Sequence, residues 1–329
     1  MTGAVRFAVL GDSLSEGVGD PLPDGGWRGW AALLADGLAA APYDTRTLNL
    51  ARSGARSGDV AGPQLEAALR HRPDLASVLV GGNDTLRGGF DIQAVAAELH
   101  LVMGALRAEG CDVLTACLPD PGTVLGLPWP LARPLGRRMR ALNDTVHALS
   151  AHHGAHHLHA AERHWATMPG ALSADRLHPS ETGHRLLARD FHALLTAAGL
   201  AQGPAPRPEP DGAPPGRRAA AWWMATRGTR WIADRCIDLL PDLIRLAGTE
   251  LRHHRQGDTA VLEEDARRAT VAALAALKVP PGPAARPYTP PRPPVPGQRV
   301  LSGTKRTGVP GGDWAAAGSE PSGTTPMTG

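Results

Sequence analysis

From residue 5 to residue 198, short apolar runs alternate with longer stretches whose apolar residues recur every three or four positions. The runs VRFAVL (5–10), DTRTLNL (44–50), LASVLV (75–80), CDVLTACL (111–118) and GAHHLHA (154–160) have the length and residue types of strands. Between them, WRGWAALLADGLAA, DVAGPQLEAALRHR, DIQAVAAELHLVMGALRAEG and RPLGRRMRALNDTVHALSAH carry the spacing of amphipathic helices, and SETGHRLLARDFHALLTAAG closes the series. Strands separated by helices need right-handed crossovers, so the pattern predicts an α/β domain with a five-stranded parallel sheet covered on both faces. In such sheets ligands bind beyond the carboxyl ends of the strands.

The pattern stops near residue 200, where proline takes over. A catalytic or binding domain is therefore expected over 1–202, a proline-rich linker over 203–220, an amphipathic helical segment over 221–278 and a disordered Pro/Gly-rich tail over 279–329. A net charge of +2, with the basic residues scattered, argues against a nucleic-acid partner. Three cysteines (Cys111, Cys117, Cys236) make no disulfide framework. No apolar run reaches the ~18 residues of a membrane span. The first strand begins by Val5 with no secretory pattern ahead of it, which sets the expectation of a cytoplasmic protein.

Four polar blocks follow strands or precede the last helix: GDSLSEG (11–17), NLARSG (49–54), GGNDTLRGG (81–89) and DRLHPS (175–180). Acyl transfer needs a nucleophile, a base for its proton, a group that orients the base, and donors for the developing oxyanion. Ser13, His178 and Asp175 can supply the first three, because Asp and His three residues apart in a loop can share the imidazole N–H. The backbone N–H groups of Ser13 and Gly54 and the side-chain amide of Asn83 can supply the donors. Taken singly, each residue has a plainer reading. Ser13 could cap a helix, Asn83 could serve a turn, and Asp175 could cap the turn that follows it.

In this order, GDS with Ser13, Gly54, the G-x-N-D block with Asn83 and D-x-x-H with His178 resemble the SGNH (GDSL-type) hydrolase family over residues 5 to about 198. The resemblance implies a flavodoxin-like three-layer α/β/α domain with the family roles on Ser13, Gly54, Asn83 and His178, plus Asp175. It implies a serine ester hydrolase that acts on a small-molecule ester through an acyl-enzyme and uses no cofactor. An acyltransferase, a lysophospholipase or thioesterase, and a non-catalytic binding module remain as alternatives. The G-x-S-x-G signature of other esterases does not occur.

Other features admit two readings. The histidines of HHGAHHLHA (152–160) suggest a metal, but Gly154 should end the helix and separate them, and no HExxH motif is present, so no metal is expected. Trp27 and Trp30 sit at helical spacing and fit a core better than a pocket. Arg87, Phe90 and the loop PDPGTVLGLPWP (119–130) are candidate substrate contacts. In 221–255, Trp222, Trp223 and Trp231 interleave with Arg227, Arg230 and Arg235, and Pro241 should kink the helix or start a second one. That segment could dock on the catalytic domain, on a partner protein or on a membrane surface.

Overall fold

The structure is a computed structural model that describes residues 4–41, 44–162, 168, 170–173, 175–211 and 229–281, with backbone alone for 229–240. Trp222, Trp223 and Arg227 lie outside the described residues, as do the side chains of Arg230, Trp231, Arg235 and Cys236 and the tail from 282.

Five strands form one parallel sheet: β1 (Val5–Gly11), β2 (Thr45–Asn49), β3 (Leu75–Leu79), β4 (Asp112–Ala116) and β5 (His156–Leu158). Their order is β2-β1-β3-β4-β5, the flavodoxin-like order, and the chain reverses its direction of winding between β1 and β3. The crevice at that switch point opens beside the end of β1. Each strand begins and ends within about two residues of its predicted run.

Helices cover both faces because the central strands are apolar on both. Phe7 and Val9 of β1 face one layer, with α2 (Gly29–Ala35) and the long helix Glu181–Ala197 behind them, where Trp30 stacks on Phe191 at 4.7 Å. Trp30 is therefore core. Ala8 and Leu10 face the other layer, built from Leu65–His71, Ile92–Ala108 and Trp129–His153. In chain order the helices are α1 (Ser13–Glu16), α2, α3 (Ser57–Asp59), α4 (Leu65–His71), α5 (Gly82–Leu86), α6 (Ile92–Ala108), α7 (Pro121–Val124), α8 (Trp129–His153), α9 (Glu181–Ala197), α10 (Thr229–Gln256) and α11 (Thr259–Ala276).

Two departures from the sequence pattern occur beyond α9. Residues 203–211 lie along the α2–α9 edge. There Gly203 N–H donates to the Gly37 carbonyl, Arg189 to the Pro206 carbonyl, and Asp211 pairs with Arg28 and Arg185. Further on, α10 runs through Pro241 as one helix and does not restart there. A proline removes one ladder bond, and the helix continues on both sides of the gap. Glu250 of α10 is 1% exposed and bonds Arg137 at 2.5 Å, and Glu263 of α11 pairs with Arg137 and Arg140. Leu274 and Val279 are buried in the cluster beneath α6 and α8. No helix among the described residues is long and apolar enough to cross a membrane.

Candidate active site

The carboxyl end of β1 is built around Gly11. Its φ is 153°, and a Cβ there would stand 2.3 Å from the Leu79 carbonyl oxygen of β3. Buried Gln64, in the π-helical turn Val60–Gln64, clamps the same residue: Oε1 accepts from the Gly11 N–H at 2.8 Å and Nε2 donates to its carbonyl at 3.0 Å. The chain can then turn sharply into α1. Asp12 caps that helix, accepting from the Leu14 N–H at 3.1 Å, so Ser13 is the first helical residue and not the cap. Its side chain is left half-exposed at the sheet edge.

The loop before α9 folds back on that edge. Leu172 and Pro179 form an antiparallel bridge, Ser173 N–H donates to the His178 carbonyl at 2.9 Å, and the turn passes through Arg176 at φ 55°. Ser180 then caps α9, accepting from the Gly183 N–H. Gly19 lets the loop after α1 close against this turn, since a Cβ there would fall 1.9 Å from the Pro179 carbonyl oxygen. Beneath it lies buried His184. Its Nδ1 accepts from the Trp30 N–H and its Nε2 donates to the Val18 carbonyl, and burial holds its pKa down at about 4, which keeps it neutral.

This packing brings Ser13, His178 and Asp175 into one hydrogen-bonded line. Ser13 Oγ lies 2.7 Å from His178 Nε2, and His178 Nδ1 lies 2.7 Å from Asp175 Oδ2. His178 is 5% exposed. Asp175 Oδ1 also accepts from Ser173 Oγ and from the N–H groups of Leu177 and His178. Burial alone would raise the Asp175 pKa, but the His178 hydrogen bond and charge, with the other donors, bring it down to about 2. It is a carboxylate at any working pH.

Gly54 lies in the turn before α3 and Asn83 in the first turn of α5, and both segments are tied to residues flanking Ser13. Gly54 has φ 83°, and no hydrogen bond among the described residues engages its N–H. Four side chains strap its loop. Asn49 Nδ2 donates to the Ser15 carbonyl, Glu16 accepts from the Ser53 N–H, Asp84 accepts from Ser57, and Asn83 Nδ2 donates to the Ala55 carbonyl at 3.0 Å. Asn83 Nδ2 also donates, at 3.3 Å, to Asp12 Oδ2. Burial pushes the Asp12 carboxyl up to about 6, against the pull of the Leu14 N–H and the His178 charge.

Arg138 is stacked over the Phe90 ring and donates to the Arg87 carbonyl. Loop 119–130 is partly helical, and Trp129 at the start of α8 packs on His254 of α10. Gln64, Asp12, Asn49 and Asp84 hold the site in place. Asp12, Asn49 and Asp84 fall within the GDS, NLARSG and G-x-N-D blocks, whereas nothing in the sequence marks Gln64.

The family model of the GDSL-like lipase/acylhydrolase family matches residues 9–186. The chain belongs to this family. Among characterised members it is similar to an arylesterase of Vibrio mimicus, 26% identical over 175 residues, covering 53% of this chain and 80% of the relative. It is also similar to esterase TesA of Pseudomonas aeruginosa, 38% identical over 113 residues, covering 34% of this chain and 53% of the relative. An acetylxylan esterase of Geobacillus stearothermophilus is 27% identical over 207 residues, covering 56% of this chain and 91% of the relative. A crystal structure of that enzyme aligns with a TM-score of 0.48 at 21% identity, covering 59% of this chain and 94% of the other. The family match ends inside α9, so α10 and α11 of this GDSL-family chain lie beyond it.

Proposed function

We propose that this chain is a serine ester hydrolase in which Ser13 is the nucleophile, His178 the general base and acid, and Asp175 the group that orients His178. The observation that carries the reading is the pair of 2.7 Å contacts running from Ser13 Oγ through the imidazole to Asp175. His178 Nε2 takes the hydroxyl proton as Ser13 Oγ bonds to the ester carbonyl carbon, and the carbonyl oxygen becomes an oxyanion. The N–H groups of Ser13 and Gly54 donate to it, and the Asn83 NH2 joins them by giving up its longer, 3.3 Å contact to Asp12. Collapse breaks the ester C–O bond, and the leaving alkoxide takes the proton from His178. Water repeats the sequence on the acyl-Ser13 ester and releases the acid. Asp175 stays ionised throughout and stabilises the imidazolium.

The relatives named arylesterase, esterase and acetylxylan esterase support a carboxylic ester as the substrate. A fluorophosphonate probe followed by intact-mass measurement tests the reading. One covalent adduct on the wild type, absent in Ser13→Ala, is expected. A folded wild type that takes no adduct would overturn it.

On the same reading the catalytic domain spans 1–202, and α10 with α11 forms a flank of it in place of a membrane or partner contact. Buried Glu250, Leu274 and Val279 support this. Cleavage at a specific protease site inserted between 212 and 228 is expected to leave the 229–281 fragment co-eluting with the catalytic domain in size exclusion. Clean separation of the two fragments without denaturant would refute it.

A further inference from the structure

Outside the serine site, the end of the sheet at β4 and β5 gathers a second set of reactive side chains. Cys117 follows β4, His157 lies in β5 and His159 follows it, and one ligand atom from each lies within 4.8 Å of the others. His147 of α8 closes the group, its ring stacked 5.1 Å from His157 and edge-on to His159 at 5.0 Å. Cys117 is buried and forms no disulfide.

The hydrogen bonds around His157 fix its tautomer. Ser150 Oγ donates its proton to the Val146 carbonyl at 2.6 Å, so it accepts from Thr115 Oγ1 at 2.7 Å. The hydroxyl of Thr115 is thereby spent, so Thr115 Oγ1 accepts from His157 Nδ1 at 2.9 Å. Nδ1 carries the proton, and Nε2 keeps a bare lone pair. That nitrogen is fully buried and has no hydrogen-bond partner among the described residues. A buried acceptor left without a donor is costly, and a bound cation would remove that penalty.

We propose that Cys117, His157 and His159 form a site for a divalent transition-metal ion of the zinc type, bordered by His147. A thiolate and imidazoles are the donors that such an ion selects over oxygen-seeking cations. On binding, the Cys117 Sγ–H proton leaves to solvent, and the thiolate keeps the Ala161 N–H that already points at it from 3.3 Å. Thr115 and Ser150 act as the outer hydrogen-bond partners that aim His157. Tetrahedral zinc holds its ligand atoms roughly 3.3–3.8 Å apart, so the side chains need close by only about 1 Å. Exposed His159 gives the ion its way in. The ion would pin the end of β4 to the end of β5.

A second group, His100, His152 and His153 on α6 and α8, also lies close together but has no thiol, and His153 Nε2 already bonds His100 Nδ1. Cobalt separates the two. Titration of the full chain with Co2+ is expected to give one equivalent with intense tetrahedral bands and a thiolate-to-cobalt charge-transfer band. Cys117→Ser should erase that band. His159→Ala, at an exposed position that keeps the fold, should weaken Co2+ binding by about 100-fold or more, beyond the loss of an outer partner alone. His152→Ala should leave both unchanged. A folded wild type without the charge-transfer band, a band that survives Cys117→Ser, or binding lost only in His152→Ala would each overturn the proposal.

Discussion

Ser13→Ala is expected to lower kcat on an activated acetyl ester by about 10^6-fold, with KM little changed. His178→Ala should cost about the same, and the double variant no more than either alone, because nucleophile and base act on one proton in one step. Asp175→Asn should cost about 10^4-fold. Its carboxylate accepts four hydrogen bonds and donates none, so an amide NH2 would face a donor whichever way it turned. The surviving orientation would favour the wrong imidazole tautomer. Steady-state rates on the four purified proteins, each checked for folding by circular dichroism, decide the matter. If Ser13→Ala kept activity within tenfold of wild type, the nucleophile would lie elsewhere. If the losses at Ser13 and His178 multiplied in the double variant, the two residues would not share a step.

The sheet and the four blocks were legible because both are local signals. A buried parallel strand announces itself as an apolar run, and a residue that must stand at its carboxyl end follows within a few positions, as Ser13 follows Leu10 and Asn83 follows Val80. The supports were illegible because they are tertiary. Gln64 reaches Gly11 across 53 positions, from a turn whose Gly-Pro pair reads only as a helix irregularity. The metal-type cluster hid for the same reason. Histidine spacing within 152–160 reports only on ligands from one segment, whereas the sulfur comes from Cys117 at the end of the neighbouring strand, about forty residues earlier. Proline signals only the donors it lacks: the carbonyls of Pro206 and Arg207 accept from Arg189 and Arg185 of α9, and α10 continues through Pro241 without restarting.

Asp12, beside the proposed nucleophile Ser13, offers a larger test than its modest role as a helix cap suggests. Asp12 accepts from Leu14 N–H with one oxygen and from Asn83 Nδ2 with the other, so a charged carboxylate is what turns the Asn83 amide nitrogen toward the serine side. Asp12→Asn offers a single oxygen. If that oxygen keeps the cap, two NH2 groups face each other. Asn83 then turns over, abandoning the Ala55 carbonyl and presenting its own oxygen where a donor is needed. Activity is expected to fall by about 10^2–10^3, as for Asn83→Ala, with no further loss in the double variant. Stability should move the other way. The Asp12 pKa is about 6 in the folded chain against an ordinary 3.8. The unfolded chain therefore releases this proton first, and wild-type stability falls as pH rises from 3.8 to about 6. Two pKa units correspond to about 3 kcal/mol, an upper bound on what the neutral amide recovers above that range. Urea unfolding at about pH 4 and about pH 8 reads it directly: the two proteins should be close at the lower pH, and Asp12→Asn should be the more stable at the higher. A stability gap that does not change with pH, or full activity in the variant, would show that Asp12 neither strains the fold nor aims Asn83.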